Sequence, residues 1–330
     1  MTRPSRLCLF AATLLPALAA CAFASRTPGA PVRIPGYMTE GWLFIAEPVT
    51  VNGERLRMRT NTGSGPASVT PEAVQRLGLM VDTVRLPPTP VIRRERRVRS
   101  VTMPAFRGDA FIPPPAASPH AGHLIILERG TDAEPWMDGY LGNPWFARRT
   151  WTFDFQRGEL WLRPPGDLPR VPAAHRVPLG FKRRRNYPVE WLPRIRVQID
   201  GEPVDLLLST GIDDVVSEGA MREMGLTGPS RQAMSSVKGD LFNRWRARHP
   251  EWRVIENAVD RGMYAVIEVP EVRIGGHTVG PVWFSSHGAG TEWLSNWTDR
   301  PVVGFLGANV LRHFRLTVDM ERGIAVFERP

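Results

Sequence analysis

An internal repeat constrains the fold of this chain more than any other feature of its sequence. The segment from Asn52 to Gly63 aligns without a gap on the segment from Asp200 to Gly211. Each copy opens with Asn-Gly or Asp-Gly, continues through a strand-like stretch and ends in Thr-Gly. Asn-Gly and Asp-Gly favour two-residue hairpin turns of type I′, which require positive φ angles. The sequence therefore predicts two equivalent β units, each with a hairpin leading into a Thr-Gly loop.

A second pair of matching segments closes each copy. Residues 139–142 read Gly-Tyr-Leu-Gly and residues 304–307 read Gly-Phe-Leu-Gly, and each is followed by a helical turn and another hairpin pattern. The offset between copies is 148 residues at the first motif and 165 at the second, so the second copy carries an insertion. We assign the insertion to Ser230–Val259, with a helix near Ser235–Arg248 that ends before Pro250.

These motifs resemble the aspartic peptidase family, in both its pepsin-like and its retropepsin-like forms, in which a strand leads into Asp-Thr-Gly. The resemblance implies a mainly β fold of two tandem acid-protease-like β-barrel lobes, related by pseudo-twofold symmetry and carrying a few short helices. Residues 41–165 would form the first lobe, 166–177 a proline-rich linker and 178–330 the second lobe. Since one chain carries both lobes, a monomer is expected.

Both catalytic positions of that family are changed here, to Asn61 and Ser209. An aspartic peptidase needs two facing carboxylates that share one proton, one acting as general base and the other as general acid. An amide does not accept that proton and a hydroxyl is no general base. The family's cleft loops are retained, and the resemblance implies that their threonines hydrogen-bond across the pseudo-twofold axis while the glycines permit a tight turn: Thr62, Gly63, Thr210 and Gly211.

The leading hypothesis is therefore an inactive peptidase homologue that binds an extended polypeptide between its lobes, with no cofactor and no metal. One alternative is an active aspartic-type endopeptidase that uses a substitute carboxylate, Asp213 or Asp214, or an Asn61 that has deamidated. Ser209 as a serine nucleophile is disfavoured because no G-x-S-x-G motif or spaced histidine accompanies it. Another alternative is an architectural envelope protein whose outer surface carries the function.

The N-terminus predicts export. Arg3 and Arg6 precede an apolar stretch, Leu7–Ala20, that is shorter than a membrane span and suits a secretory signal. It ends at Cys21 in a sequence that resembles the lipobox of bacterial lipoproteins, although Ala22-Phe23-Ala24 offers a competing cleavage site. We predict a signal peptide over residues 1–21, lipidation of Cys21, a Pro/Gly-rich tether over residues 22–40, and a location on the periplasmic side of a bacterial envelope membrane.

Composition narrows the remaining chemistry. Both cysteines lie in the leader, which excludes disulfides and thiolate metal sites from the domains behind it. His120 and His123 are expected to be loop residues and not a metal clamp. The net charge of +9 is carried mainly by arginine. We expect no nucleic-acid partner, because the chain is exported and has no recognition motif.

Two arginine-rich runs and two possible flaps complete the sequence-based expectations. The runs at residues 93–97 and 182–185 are expected to be solvated loops, with anionic lipid or an acidic protein as the alternative contact. The segments near Val98–Phe111 and Arg261–Val269 are predicted flap segments, and the sequence leaves open whether they close over anything.

Overall fold

The computed structural model describes residues 29–86, 88, 94–116, 121–127, 136–184, 187–259, 262–286 and 291–330. In this part of the chain the fold is mainly β, with short helices, as the sequence predicts. No helix among the described residues is both long and apolar enough to cross a membrane. The predicted signal peptide, Cys21 and His120 lie outside the described residues.

Strands account for most of the regular structure in both halves. The first half contains β1 (Val32–Arg33), β2 (Gly36–Thr39), β3 (Leu43–Ala46), β4 (Met58–Thr60), β5 (Ser68–Val69), β6 (Val81–Leu86), β7 (Arg96–Thr102), β8 (His123–Ile126), β9 (Gly139–Leu141), β10 (Thr150–Asp154) and β11 (Glu159–Arg163). The second half contains β12 (Arg176–Arg184), β13 (Tyr187–Ile199), β14 (Glu202–Leu208), β15 (Asp213–Val215), β16 (Arg231–Ala233), β17 (Ser235–Val237), β18 (Val254–Val259), β19 (Tyr264–Val269), β20 (Val272–Ile274), β21 (His277–Val279), β22 (Val282–Ser285), β23 (Gly304–Leu306), β24 (Arg315–Asp319) and β25 (Ile324–Glu328).

The helices are short and occupy equivalent places in the two halves, apart from one. They are α1 (Pro71–Arg76), α2 (Asn143–Phe146), α3 (Glu218–Met224), α4 (Gly239–Arg248) and α5 (Ala308–Leu311), with 3₁₀ turns at Ala173–His175 and Thr291–Asn296. The α1 and α3 helices start in the same way, because each is capped by a hydroxyl that accepts a hydrogen bond from the backbone N–H three residues later. The Thr70 hydroxyl accepts at 3.2 Å and the Ser217 hydroxyl at 3.3 Å. Both helices are followed by a Gly-Leu pair, Gly78-Leu79 after α1 and Gly225-Leu226 after α3.

One continuous sheet joins the two halves. Within a fifteen-stranded sheet, the strand order β1-β11-β10-β24-β25-β12 places three strands of each half side by side. The central pair, β10 and β24, is antiparallel, and Thr152 lies opposite Thr317. Their hydroxyls are 2.7 Å apart and neither residue is exposed. These residues differ by 165 positions, the offset of the second repeat, so the pairing relates equivalent strands.

Each Thr-Gly loop follows one strand of a parallel pair, and the two pairs are equivalent. In the first half β4 runs parallel to β9, with Thr60 beside Leu141. In the second half β14 runs parallel to β23, with Leu208 beside Leu306. The loops that follow β4 and β14 carry Asn61 and Ser209. The Gly-x-Leu-Gly motifs thus supply the strand against which each loop begins.

The structure corrects the predicted tether. Residues 32–39 were assigned to it for their proline and glycine content, but they form β1 and β2. Gly36 lies so close to β3 that a Cβ there would approach the Ile45 carbonyl oxygen to 2.1 Å. Glycine therefore permits close strand pairing here and is not a sign of a flexible linker. The segment between β11 and β12 spans residues 164–175, against the predicted linker at residues 166–177.

Three further expectations change in detail. The Asn52-Gly53 turn is not a two-residue type I′ turn, because Val49 pairs with Arg55 and only Gly53 of the pair has a positive φ, which gives a three-residue loop. The predicted helix at Ser235–Arg248 is shortened by β17 and begins at Gly239. The first predicted flap is displaced, since the hairpin in that region is β6–β7.

Candidate functional site

The two Thr-Gly loops begin with the same backbone contact. The Asn61 N–H donates to the Leu141 carbonyl at 3.1 Å, and the Ser209 N–H donates to the Leu306 carbonyl at 3.0 Å. Each contact extends the parallel ladder by one residue beyond the strand. As a result both side chains leave their sheets at equivalent points and are directed toward each other.

Reciprocal threonine hydrogen bonds hold the two loops together. The Thr62 N–H donates to Thr210 Oγ1 at 3.2 Å, and the Thr210 N–H donates to Thr62 Oγ1 at 3.1 Å. The Thr62 hydroxyl also donates to the Leu208 carbonyl at 3.1 Å. Both threonines are buried, at 1% and 2% exposure. The reciprocal threonine hydrogen bonds that the sequence resemblance implies are therefore present.

Asn61 and Ser209 meet at this junction. Ser209 Oγ donates to Asn61 Oδ1 at 2.9 Å, and the Gly63 N–H donates to the same oxygen at 2.8 Å. A backbone N–H can only donate, so the amide atom facing it must be the oxygen. Asn61 Nδ2 consequently points away from the pair, and among the described residues it makes no hydrogen bond. Because Ser209 is fully buried and Asn61 is partly exposed, the outward-facing polar group is an amide donor.

Gly63 and Gly211 permit close approach between the halves. A Cβ at Gly63 would lie 2.7 Å from Ser209 Cβ, and a Cβ at Gly211 would lie 2.5 Å from the Thr60 carbonyl oxygen. Neither glycine has a left-handed φ. The sequence predicts glycine at these positions for a tight turn, whereas the structure requires it because no side chain fits between the loops.

A buried ion pair lies beside the junction. Arg59 Nη2 lies 2.7 Å from Asp213 Oδ2 and donates at 2.7 Å to the Gly211 carbonyl, so β4 of the first half holds the turn of the second. Arg231 contacts the other carboxylate oxygen at 3.2 Å. The side chains of Arg59 and Asp213 are each 9% exposed. Both oxygens of Asp213, the first carboxylate after Ser209 in the sequence, are therefore engaged by arginines.

Several supporting residues were not predicted from the sequence. Asn143 Nδ2 donates to the Thr62 carbonyl at 3.0 Å and fixes the first loop from α2. In the second half Ser235 Oγ accepts from the Gly307 N–H at 2.9 Å and donates to Asn309 Oδ1 at 2.7 Å. The one feature of the sequence that could have indicated Asn143 and Asn309 is their position shortly after the Gly-x-Leu-Gly motifs.

The described part of the chain holds no group of three or more His, Cys, Asp or Glu residues placed to bind a metal ion. The prediction of a loop residue is wrong for His123, which lies on β8 and is partly buried. Four tryptophans lie in regular structure, Trp145 in α2, Trp151 in β10, Trp161 in β11 and Trp283 in β22.

In comparison with known proteins, no protein-family model matches this chain, and no curated protein matches it.

Proposed function

We propose that the chain is a two-lobed, acid-protease-like protein without peptidase activity, and that the surface at Asn61 binds an extended polypeptide. The observation that carries the proposal is the Ser209–Asn61 hydrogen bond within the crossed threonine contacts. It is supported by the equivalent strand pairs in the two halves and by the sheet centred on Thr152 and Thr317.

Hydrolysis by this site lacks its general base. In an aspartic peptidase one carboxylate takes a proton from water while the other donates one to the scissile carbonyl. Asn61 Oδ1 already accepts two hydrogen bonds, and an amide does not take up a proton at ordinary pH. The Ser209 hydroxyl donates its only proton to Asn61 and is buried, so it does not act as a nucleophile either.

The outward amide favours a hydrogen-bond acceptor as ligand. Asn61 Nδ2 offers donors alone, and the most regularly spaced acceptors in an extended polypeptide are its main-chain carbonyls. Binding by main-chain contacts, in the manner of strand addition, gives affinity that depends little on sequence. The site would therefore hold a peptide carbonyl at the point where a peptidase would hydrate it.

The contacts of the site oppose Asp213 as a substitute carboxylate, and they also oppose deamidation of Asn61. Asp213 is held by Arg59 and Arg231, so a role as general base would require breaking two ion pairs. Deamidation of Asn61 requires attack by the Thr62 nitrogen on the side-chain carbonyl. That N–H donates to Thr210 Oγ1, and the side-chain oxygen is held by two donors.

We further propose, from the leader sequence alone, that the protein is exported and anchored at Cys21 on the periplasmic side of a bacterial membrane. Mass spectrometry of the membrane-extracted protein tests this proposal, because lipidation removes the leader and adds acyl chains to the new N-terminal cysteine.

The function is tested by Asn61→Asp, which keeps an oxygen for Ser209 and Gly63 but replaces the outward donor by an acceptor. The probes are uncharged decapeptides, acetylated and amidated at their ends and labelled for fluorescence anisotropy. We expect binding about tenfold weaker at neutral pH, from loss of one hydrogen bond and repulsion of the carbonyl oxygen. Acidification should restore binding, because the protonated carboxyl donates again.

Asn257→Asp is the matched control, since it makes the same change at an exposed residue of the second half. It should leave peptide binding unaltered. Equal affinity of the wild type and Asn61→Asp for the decapeptides would contradict the proposed binding site at Asn61. Cleavage of the peptides by wild-type protein, abolished by Ser209→Ala, would replace the binding function by an enzymatic one.

A further inference from the structure

The β6–β7 hairpin carries an unusual concentration of positive charge on one face. In the register of the pair, Thr83 lies opposite Arg99 and Arg85 lies opposite Arg97. Side chains at opposed positions share a face, so these four residues form one surface, here termed the arginine face. All four are exposed, and they line a concavity of about 400 Å³ together with Val98.

The charges on the arginine face are poorly neutralised by the protein itself. The only ion pair it makes among the described residues is between Arg85 and Glu95, at 3.9 Å and with both side chains more than half exposed. Arg97 and Arg99 contact no acid within the described part of the chain. Like charges directly opposed on neighbouring strands destabilise a hairpin, so the Arg85–Arg97 pair costs stability unless an anion lies against it.

Exposed apolar side chains adjoin the arginine face. Met80 precedes β6 and is 89% exposed, more than any other large hydrophobic residue described, and Val81 at the start of β6 is 46% exposed. Val81 lies on the same side of β6 as Thr83 and Arg85. Arginines flanked by exposed apolar groups match the two layers of a lipid surface, with charged headgroups outside and acyl chains beneath.

The position of the hairpin makes this face accessible to a flat surface. β6 is the last strand of its eight-stranded sheet, and four strands separate it from β4, which carries the Asn61 loop. The predicted lipid anchor, Cys21, lies only eleven residues before β1. An extended chain of that length spans at most about 40 Å, so an anchored protein would remain near the membrane.

We infer that the arginine face docks on the surface of an anionic phospholipid membrane, with Arg85, Arg97 and Arg99 against the headgroup phosphates and Met80 and Val81 at the acyl boundary. This contact is independent of the proposed peptide site. Where a lipid anchor alone would leave the orientation free, the face fixes which side of the protein meets the membrane.

The test is co-sedimentation of the full chain with vesicles of phosphatidylcholine alone or with one third phosphatidylglycerol. The leader, with Arg3 and Arg6, is the same in wild type and variants, so comparing their preferences between the two compositions cancels its contribution. An arginine near an anionic surface contributes about a fivefold factor in binding, so Arg97→Gln with Arg99→Gln should reduce the preference for phosphatidylglycerol about 30-fold. The preference should also fall steeply with added salt. Met80→Ser should weaken binding further without changing the salt dependence.

The control is Arg157→Gln with Arg244→Gln, which removes the same charge at two exposed arginines elsewhere. It should retain most of the preference. Equal losses in both double variants would mean that net charge, and not this face, directs binding, and would overturn the inference. So would displacement by millimolar inorganic phosphate at constant ionic strength, which indicates a free-anion site. Binding of poly-glutamate through Arg97 and Arg99 without a preference for anionic vesicles would assign the face to an acidic polypeptide instead.

Discussion

At the scale of single residues, two threonine hydroxyls connect the halves of the molecule, and they are not equivalent. Thr62 Oγ1 accepts one hydrogen bond from the opposite loop and donates another to Leu208, whereas Thr210 Oγ1 accepts from the Thr62 N–H. Replacement by valine preserves the shape and leaves each buried partner without a hydrogen bond. Leaving a buried polar group unpaired costs about 1–3 kcal/mol.

We therefore expect both Thr62→Val and Thr210→Val to lower the free energy of unfolding, the first by more. Urea denaturation followed by tryptophan fluorescence measures the difference. Since the two hydroxyls act in one network, the double variant should cost less than the sum of the single ones. Thr227→Val, at an exposed position, serves as the control. Strict additivity would contradict the shared network, and equal single losses would contradict the inequivalence of the two hydroxyls.

At the scale of elements, the C-terminal end of α4 is attached to the β13–β14 hairpin through charged groups. Arg248 Nη1 lies 2.7 Å from Asp200 Oδ2, and His249 Nε2 lies 2.8 Å from Asp200 Oδ1. The contact with Asp200 raises the pKa of His249. Burial alone would raise the pKa of Asp200, but the contacts with His249 and Arg248 outweigh it and lower that pKa.

The directions of these pKa shifts define the pH range in which the contacts of Asp200 stabilise the fold. A histidine whose pKa is raised by folding contributes its full stabilisation of the folded state below its ordinary pKa of about 6.5. That contribution disappears as the pH rises through the pKa of the folded state. The Asp200 contribution is present above about pH 4 and is lost in stronger acid. The attachment of α4 should therefore be firmest between about pH 4 and 6.5.

We expect His249→Gln to lower the melting temperature at pH 6 and to have little effect at pH 9. Scanning calorimetry of both proteins at the two pH values provides the measurement. Glu251→Gln is the control for the weaker partner of His249, an exposed carboxylate 3.1 Å from Nδ1, and should give a smaller loss at pH 6. The ring of His249 also stacks on Trp252, with centroids 4.2 Å apart, and the same loss at both pH values would mean that His249 contributes by this packing instead of by charge.

Some strands, helices and turns of the structure are predicted from the sequence and others are not. The repeat predicts the Thr-Gly loops, the helical turns α2 and α5 and the hairpins β10–β11 and β24–β25, because each has a local signal. The Asp200-Gly201 turn follows the type I′ prediction, with positive φ at both residues. The Asn52-Gly53 turn does not, because the register of β3 and β4 leaves three residues in its loop. Loop length follows from pairing over a distance, which the dipeptide does not encode.

The candidate site divides in the same way. Asn61 and Ser209 are predicted as a pair because their positions in the repeat are equivalent. The orientation of the amide depends on the Gly63 N–H and the Ser209 hydroxyl converging on one oxygen, which is a property of three dimensions. The Arg59–Asp213 pair joins residues 154 positions apart and has no counterpart in the other half, so the repeat gives no indication of it.

At the scale of the whole molecule, the sheet through β10 and β24 makes the two halves one mechanical unit. Five residue pairs link these strands, and the large hydrophobic cluster contains buried side chains from both halves, among them Trp151 and Phe314. The crossed threonines and the Arg59–Asp213 pair add further contacts between the halves. A half that unfolded alone would expose the edge of this sheet and leave buried polar groups unpaired.

We therefore expect a single cooperative unfolding transition. Phe153→Ala, at a residue 1% exposed, should lower the free energy of unfolding by about 3–5 kcal/mol, and hydrogen exchange should accelerate in core strands of both halves by a similar factor. Val51→Ala, at a residue 61% exposed, is the control and should leave exchange unchanged. Acceleration confined to β3, β4 and β9, with β14 and β23 still protected, would mean that each half is held by its own core and that the shared sheet only docks them.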